Sequence, residues 1–128
     1  MGRIYEEIVI DGIKTKFLID TGSDLVSVDR SIYPKLVEKT EFSIPTNTAT
    51  GVIKKRIGIG ELNIRGCKIK AIIGENHPLD HQNKIGSSLL QDLGATIDEQ
   101  NDRLILHCPT ETKDDLELLT SLAKKLNS

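Results

Sequence analysis

Along roughly the first hundred residues, apolar and polar positions alternate in short runs closed by turn signals, the pattern of half-buried strands. Tyr5 to Ile10 alternates and ends at Asp11-Gly12, a two-residue hairpin signal, and Ile13 to Ile19 returns as a second strand. Its last apolar residues, Phe17-Leu18-Ile19, run straight into Asp20-Thr21-Gly22-Ser23, a buried strand closed by a small polar turn. Leu25 to Val28 is again strand-like, and Asp29 to Tyr33 reads as a turn or helical turn stopped by Pro34. In the mixed segment 35–45, Phe42 and Ile44 are the apolar anchors. Thr46 to Ile53 predicts a hairpin with its tip near Gly51. Ile57 to Ile64 alternates, with Gly58 and Gly60 permitting bends or bulges. Arg65-Gly66 is a second tight turn, and Cys67 to Ile73 is the returning strand. Gly74 to Lys84, with Pro78 inside it, reads as a loop. Ile85 to Gly94 reads as a short helix, with Ser87 or Ser88 as its cap and Gly94 as its stop. Two short strands follow, Ala95 to Asp98 and Arg103 to His107.

The tail changes period. Thr112-Lys113-Asp114-Asp115 resembles a capping box, and Leu116, Leu119, Ala123 and Leu126 share a helical stripe that Leu118 and Leu122 widen. Acidic residues stand at its start and Lys124 and Lys125 near its end, as the helix dipole favours. The pattern predicts a helix over 114–126, an extension spanning 110–128 after a body spanning 1–109. Short strands, glycine turns and one short helix make that body mainly β, a small closed or sandwich-like fold.

Composition narrows the picture. The chain has 128 residues, enough for a single core but not for two lobes. Aromatic content is 3% with no Trp, so the core is aliphatic. A formal net charge of -2 gives no reason to expect a nucleic-acid partner. No apolar run has membrane-spanning length, which predicts a soluble, cytoplasmic domain or one cut from a longer polypeptide, with no membrane partner. The two cysteines, Cys67 and Cys108, allow a disulfide without making a framework, and Cys67, alternating with Ile69, reads as a core residue. His77 and His81 have the spacing of helical metal ligands, but Pro78 between them argues against a helix and no third ligand lies nearby. No metal and no cofactor is expected.

Three segments in order resemble the retropepsin-like aspartic proteases of retroviruses and retrotransposons. Phe17-Leu18-Ile19-Asp20-Thr21-Gly22-Ser23 is similar to that family's apolar-Asp-Thr-Gly-Ser/Ala motif. The hairpin centred on Gly51 stands where the family has its flap. Ile85-Gly86-Ser87-Ser88-Leu89-Leu90, followed by Gly94-Ala95-Thr96-Ile97-Asp98, resembles its late apolar-Gly turn, helix and Gly-x-x-Ile-Asp strand. The resemblance covers roughly residues 5 to 107. It departs in two places. Ser87 and Ser88 stand where relatives often carry a bracing Arg, Asn or Asp, and a helix follows where relatives end on a short strand used in dimerisation.

The resemblance implies a small closed barrel of the retropepsin type and an aspartic endopeptidase. That chemistry uses two carboxylates sharing one proton, one activating a water and the other protonating the scissile amide. The chain carries one Asp-Thr-Gly, so two copies must meet on a two-fold axis, each giving Asp20. Thr21 would lock the two loops across the axis, and Gly22 would let substrate backbone approach. Ser23 would donate its hydroxyl to the Asp20 carboxylate, an expectation of activity at mildly acidic pH. Asp24 would contact substrate backbone, and Thr48, Ala49, Thr50, Gly51 and Val52 would close over the peptide as the flap. Leu25, Val28, Val52, Ile53 and Leu89 are expected subsite walls. The substrate would be an extended peptide or polyprotein segment, and the protein a homodimer working in polyprotein processing, in the cytoplasm or within a particle. The alternative is a catalytically silent domain of the same fold, used for dimerisation or peptide binding; the intact Asp20-Thr21-Gly22 favours the enzyme.

Overall fold

The computed structural model describes residues 3–127, with the backbone alone described for Lys39, Thr40, Glu41 and Thr48. The chain is mainly β. Strands β1 (Tyr5–Ile10) and β2 (Ile13–Ile19) form the first hairpin, its turn carrying φ of 49° at Asp11 and 77° at Gly12. Such left-handed angles are what Asp-Gly supplies at low cost. Then come β3 (Val26–Val28), a one-turn helix α1 (Tyr33–Leu36), and the long hairpin of β4 (Val37–Thr48) and β5 (Gly51–Ile64). Strand β6 (Cys67–Glu75) follows the Arg65-Gly66 turn, and β7 (Lys84–Ile85) and helix α2 (Ser87–Asp92) follow the 76–83 loop. A separate two-stranded sheet, β8 (Thr96–Asp98) with β9 (Arg103–Ile105), precedes helix α3 (Asp115–Leu126).

The main sheet has seven strands in the order β1-β2-β7-β3-β6-β5-β4 and curls into a half-barrel. Short β7 is inserted between β2 and β3, parallel to β2 and antiparallel to β3. Strands consecutive in the chain are thereby held apart, and the segment between them, which holds Asp20, is left at the sheet's end. The main core gathers Ile8, Phe17, Val26, Val28, Tyr33, Leu62, Ile73, Ile85, Leu89 and Leu93, all 2% exposed or less. A second cluster joins Ile57, Ile59 and Ile72 to Leu118 and Leu122 of α3, with Leu25, Phe42 and Ile44 packed against it. The β1 face is pinned by Glu6, which accepts from Arg65 Nε at 2.9 Å and Nη2 at 2.8 Å, while Arg65 Nη1 donates to the Leu104 carbonyl at 2.8 Å. A bidentate, charge-assisted pair of this kind is a strong polar anchor.

Several local expectations change. Pro34 opens α1 rather than stopping a turn, because proline's fixed φ and missing N–H suit the first helical turn. Gly58 and Gly60 make no bulge in the ladder of β5 with β6, which runs unbroken from Ile57 to Ile64. They are small because a Cβ would lie 2.4 Å from Val37 Cγ1 at one and from the Leu36 carbonyl oxygen at the other. The register shifts fall on β4 instead, between Val37 and Phe42. Neither Ser87 nor Ser88 caps α2, which starts from Gly86 without a side-chain cap. The capping box of α3 lies two residues later than expected, with Asp114 accepting from the Glu117 N–H at 2.8 Å and Glu117 reaching back to the Asp114 N–H. Leu118 and Leu122 are the buried face of α3, whereas Leu116 and Leu126 are exposed.

Cys67 is a buried residue as expected, and its sulfur is bonded to Cys108 across a Cα–Cα distance of 5.6 Å. The bridge ties the start of β6 to the segment that leads into α3. No described helix is long and apolar enough to cross a membrane.

Candidate active site

Phe17 lies wholly in the core, Leu18 and Ile19 are half-buried, and Asp20 leaves the strand with its side chain 33% exposed. The turn is fixed by backbone hydrogen bonds from several segments. Ile19 donates to the Ile4 carbonyl at 2.9 Å, Asp20 to Ile85 at 3.0 Å, and Ser23 back to Asp20 at 3.2 Å. From the other side, the N–H groups of Ser87 and Ser88 donate to the carbonyls of Ser23 and Asp24 at 2.7 and 3.1 Å. A main-chain brace thus joins the turn to the start of α2. Gly86 is what allows it: a Cβ there would stand 2.5 Å from the carbonyl oxygens of both Ser23 and Leu25.

Asp20 Oδ1 accepts from the Gly22 N–H at 3.0 Å. The Ser23 hydroxyl makes no hydrogen bond to this carboxylate among the described residues; Ser23 contributes its backbone N–H to the turn instead. On the other oxygen a cation intrudes: Lys84 Nζ lies 3.9 Å from Asp20 Oδ2. Sequence reasoning passed over Lys84. Alternation places Lys84 only on the face opposite core-facing Ile85; what brings it beside Asp20 is the pairing of β7 with β2, which no local pattern signals.

The other expected site residues divide. Thr21, Gly22 and Asp24 are exposed beside Asp20, and Ser23 is half-buried. Leu25 packs toward α3. Ala49, Thr50, Gly51 and Val52 form the exposed tip of the long hairpin, where Thr48 pairs with Gly51; the side chain of Thr48 lies outside the described residues. Ile53 is 39% exposed on the same arm. Val28 and Leu89 are core residues, and Leu89 lines a cavity of about 200 Å³ under α3 that Asp20 does not border. A shallow apolar hollow adjoins Thr21, lined by Ser87, Leu90, Ala95, Ile97 and Leu104.

The 76–83 loop that leads into Lys84 is internally bonded. Asn76 Nδ2 donates to the Gln82 carbonyl at 2.8 Å, and Asn83 accepts from the Asp29 N–H through Oδ1 at 2.8 Å. His77 accepts from the Leu79 N–H, and His81 Nδ1 lies 2.6 Å from Asp29 Oδ1. Hydrogen bonds from Ser31, then from His81, hold the Asp29 carboxyl down at about 2. The two histidines therefore serve the loop, and no group of three metal-binding side chains occurs among the described residues.

In comparisons with known proteins, no family model matches the chain and no curated protein matches it.

Proposed function

We propose that the protein is an aspartic endopeptidase of the retropepsin type, active as a homodimer in which two Asp20 carboxylates share a proton and activate a water. The observation that carries this is the Asp20-Thr21-Gly22-Ser23 turn. It presents a half-exposed carboxylate from the end of a buried strand and is braced by backbone bonds to residues 85–88. Catalytic groups need that rigidity. The apolar hollow beside Thr21 and the half-exposed Ile97 and Ile105 suit a second copy meeting the first near the axis. In that assembly the half-barrel completes a retropepsin-type barrel, the long hairpin closes over an extended peptide, and polyprotein segments in the cytoplasm or a particle are the natural substrates.

A rival draws on the Asp20–Lys84 pair. A cation held beside the carboxylate suits a silent module that binds peptides or dimerises without cleaving. Cleavage of a peptide library at mildly acidic pH, over a range of protein concentrations, separates the two. The peptidase requires a rate that rises faster than linearly with concentration and falls about 10²–10⁴-fold in Asp20→Asn. Equal cleavage by Asp20→Asn refutes it, and a dimer that binds peptides without cutting them selects the rival.

A further inference from the structure

We propose that the subsite next to Asp20 is cationic, formed by Lys84 and Lys55, and that it selects peptides carrying an Asp or Glu side chain there. The proposal rests on the peptide-groove reading above and names the substrate class for that groove.

The argument begins with register. Leu18 pairs with Lys84, Lys84 with Ser27, Ser27 with Gly74 and Gly74 with Ile57, one row across β2, β7, β3, β6 and β5. Paired residues point to one face of a sheet, and Leu18 shares that face with Asp20, two positions on. The middle of the row has almost no side-chain bulk, only Ser27 and Gly74. Two lysines reach this stretch of the row. Lys84 stands at the Asp20 side, with Nζ 3.9 Å from the carboxylate. Lys55 comes from the hairpin arm and lies over Gly74, where a Cβ would meet its Cε at 2.5 Å and its Nζ at 3.1 Å. Gly74 thus leaves the Lys55 stem room to lie flat against the sheet.

The charges around these two lysines do not balance. Burial first, and the charge of Lys84 second, push the Lys55 ammonium below the usual lysine range, with Asp80 as the opposing carboxylate. The Lys55 ammonium has no hydrogen bond or ion pair among the described residues, whereas Arg56 next to it is matched by Glu75 at 3.3 Å. In the proposed dimer the two Asp20 groups share a proton and carry one negative charge between them, against two Lys84 ammoniums. With Asp80 of each copy set against them, a positive surplus remains once both Lys55 ammoniums are counted. An apolar substrate side chain in this place would strip water from the ammoniums without replacing it, which is costly. A carboxylate would relieve the repulsion and accept charge-assisted hydrogen bonds.

The test uses the full chain with its disulfide intact and peptides acetylated and amidated at their ends, so that every carboxylate belongs to a side chain. Matched sets differ only by Asp or Glu against Asn, Gln or Leu at each position around the cleaved bond. The expected result is a preference of roughly tenfold or more in kcat/KM for the acidic member at one position. That preference should be reduced in Lys84→Gln and in Lys55→Gln and lost in the double variant, with thermal melts confirming folding. Equal cleavage of acid and amide, or a preference that survives the double variant, overturns the proposal. Should no peptide be cleaved, binding of the same labelled peptides to Asp20→Asn decides. Tighter acidic binding that the lysine substitutions abolish supports the cationic subsite while the peptidase reading fails alone. Indifference to the carboxylate overturns the subsite.

Discussion

The Asp20 turn and the tip of the long hairpin are the two halves of the proposed site, and they are held in opposite ways. The turn is short, and its backbone is bonded to Ile4, to Ile85 and to the start of α2. The tip projects at the end of a ladder between its own two arms, with Ala49 to Val52 exposed. A segment bonded to several others opens only with the global fold, while one supported by its own arms opens locally. The difference matches a division of labour: a carboxylate needs fixed geometry, and a cover must move to admit substrate.

The largest effect should come from a bond remote from both halves. The Cys67–Cys108 bridge spans a sequence separation of 41, and losing such a closure costs about 4 kcal/mol in the chain-entropy account. Cys67→Ala with Cys108→Ala should lower unfolding free energy by that order in denaturant titration. Amide exchange would show whether the two halves differ. Amides of residues 19–23 should speed up with the global change, and those of 49–52 should keep their rate. Uniform acceleration would erase the distinction between them.

Gly86→Ala strikes the fixed half directly. Two carbonyl oxygens 2.5 Å from the new Cβ are backbone and cannot swing aside, so the Ser23 and Leu25 peptides must shift. About 3 kcal/mol of destabilisation follows from overpacking of this kind, and Asp20-dependent cleavage should fall with it. A melt and an activity assay on the same variant check both. An unchanged Tm would mean that the turn is looser than its hydrogen bonds imply.

Much of this arrangement could be read from the residues, and the reasons for the rest are physical. Asp11-Gly12, Arg65-Gly66 and Gly94 mark turns because positive φ is a local demand that few residues meet. Asp20 was legible because a buried apolar run ending in a carboxylate is a local pattern. Lys84 was not, since its proximity to Asp20 comes from β7 slotting between β2 and β3, a long-range event. The face of α3 escaped for a similar reason. Six apolar residues cover a wide arc, and which part of it meets the sheet depends on the distant strand residues Ile57, Ile59 and Ile72, against which Leu118 and Leu122 pack. Whether Cys67 and Cys108 bond at all likewise depended on where the chain returns after β9.

The movable half should show the reverse of Gly86. Val52 is 67% exposed at the tip, so Val52→Ser should leave stability within about 0.5 kcal/mol. If this side chain meets substrate, its lost apolar contact should lower kcat/KM roughly tenfold, with Tm unchanged. A drop in both would mean that the tip is part of the folded core of the site.

The smallest effect is the acid response of Asp29, which bears on the fixed half through Lys84. Asp29 joins the end of β3 to the loop that delivers Lys84, with its carboxylate bonded to Ser31 and His81 and its N–H to Asn83. Its carboxyl is lowered from 3.8 to about 2, so it contributes stability that is fully present above its unfolded value. That contribution fades as pH falls from about 4 toward 2, and is gone once the folded carboxyl is protonated. Solvent screening keeps it under about 1 kcal/mol. Thermal melts from pH 5 to 2 should therefore show the native chain losing slightly more stability than Asp29→Asn, which has no proton to take up there. Parallel curves would mean that the Asp29 carboxylate does not keep its bonds to Ser31 and His81 in solution, and that the loop reaching Lys84 is held without them, by Asn76, Asn83 and its own internal bonds.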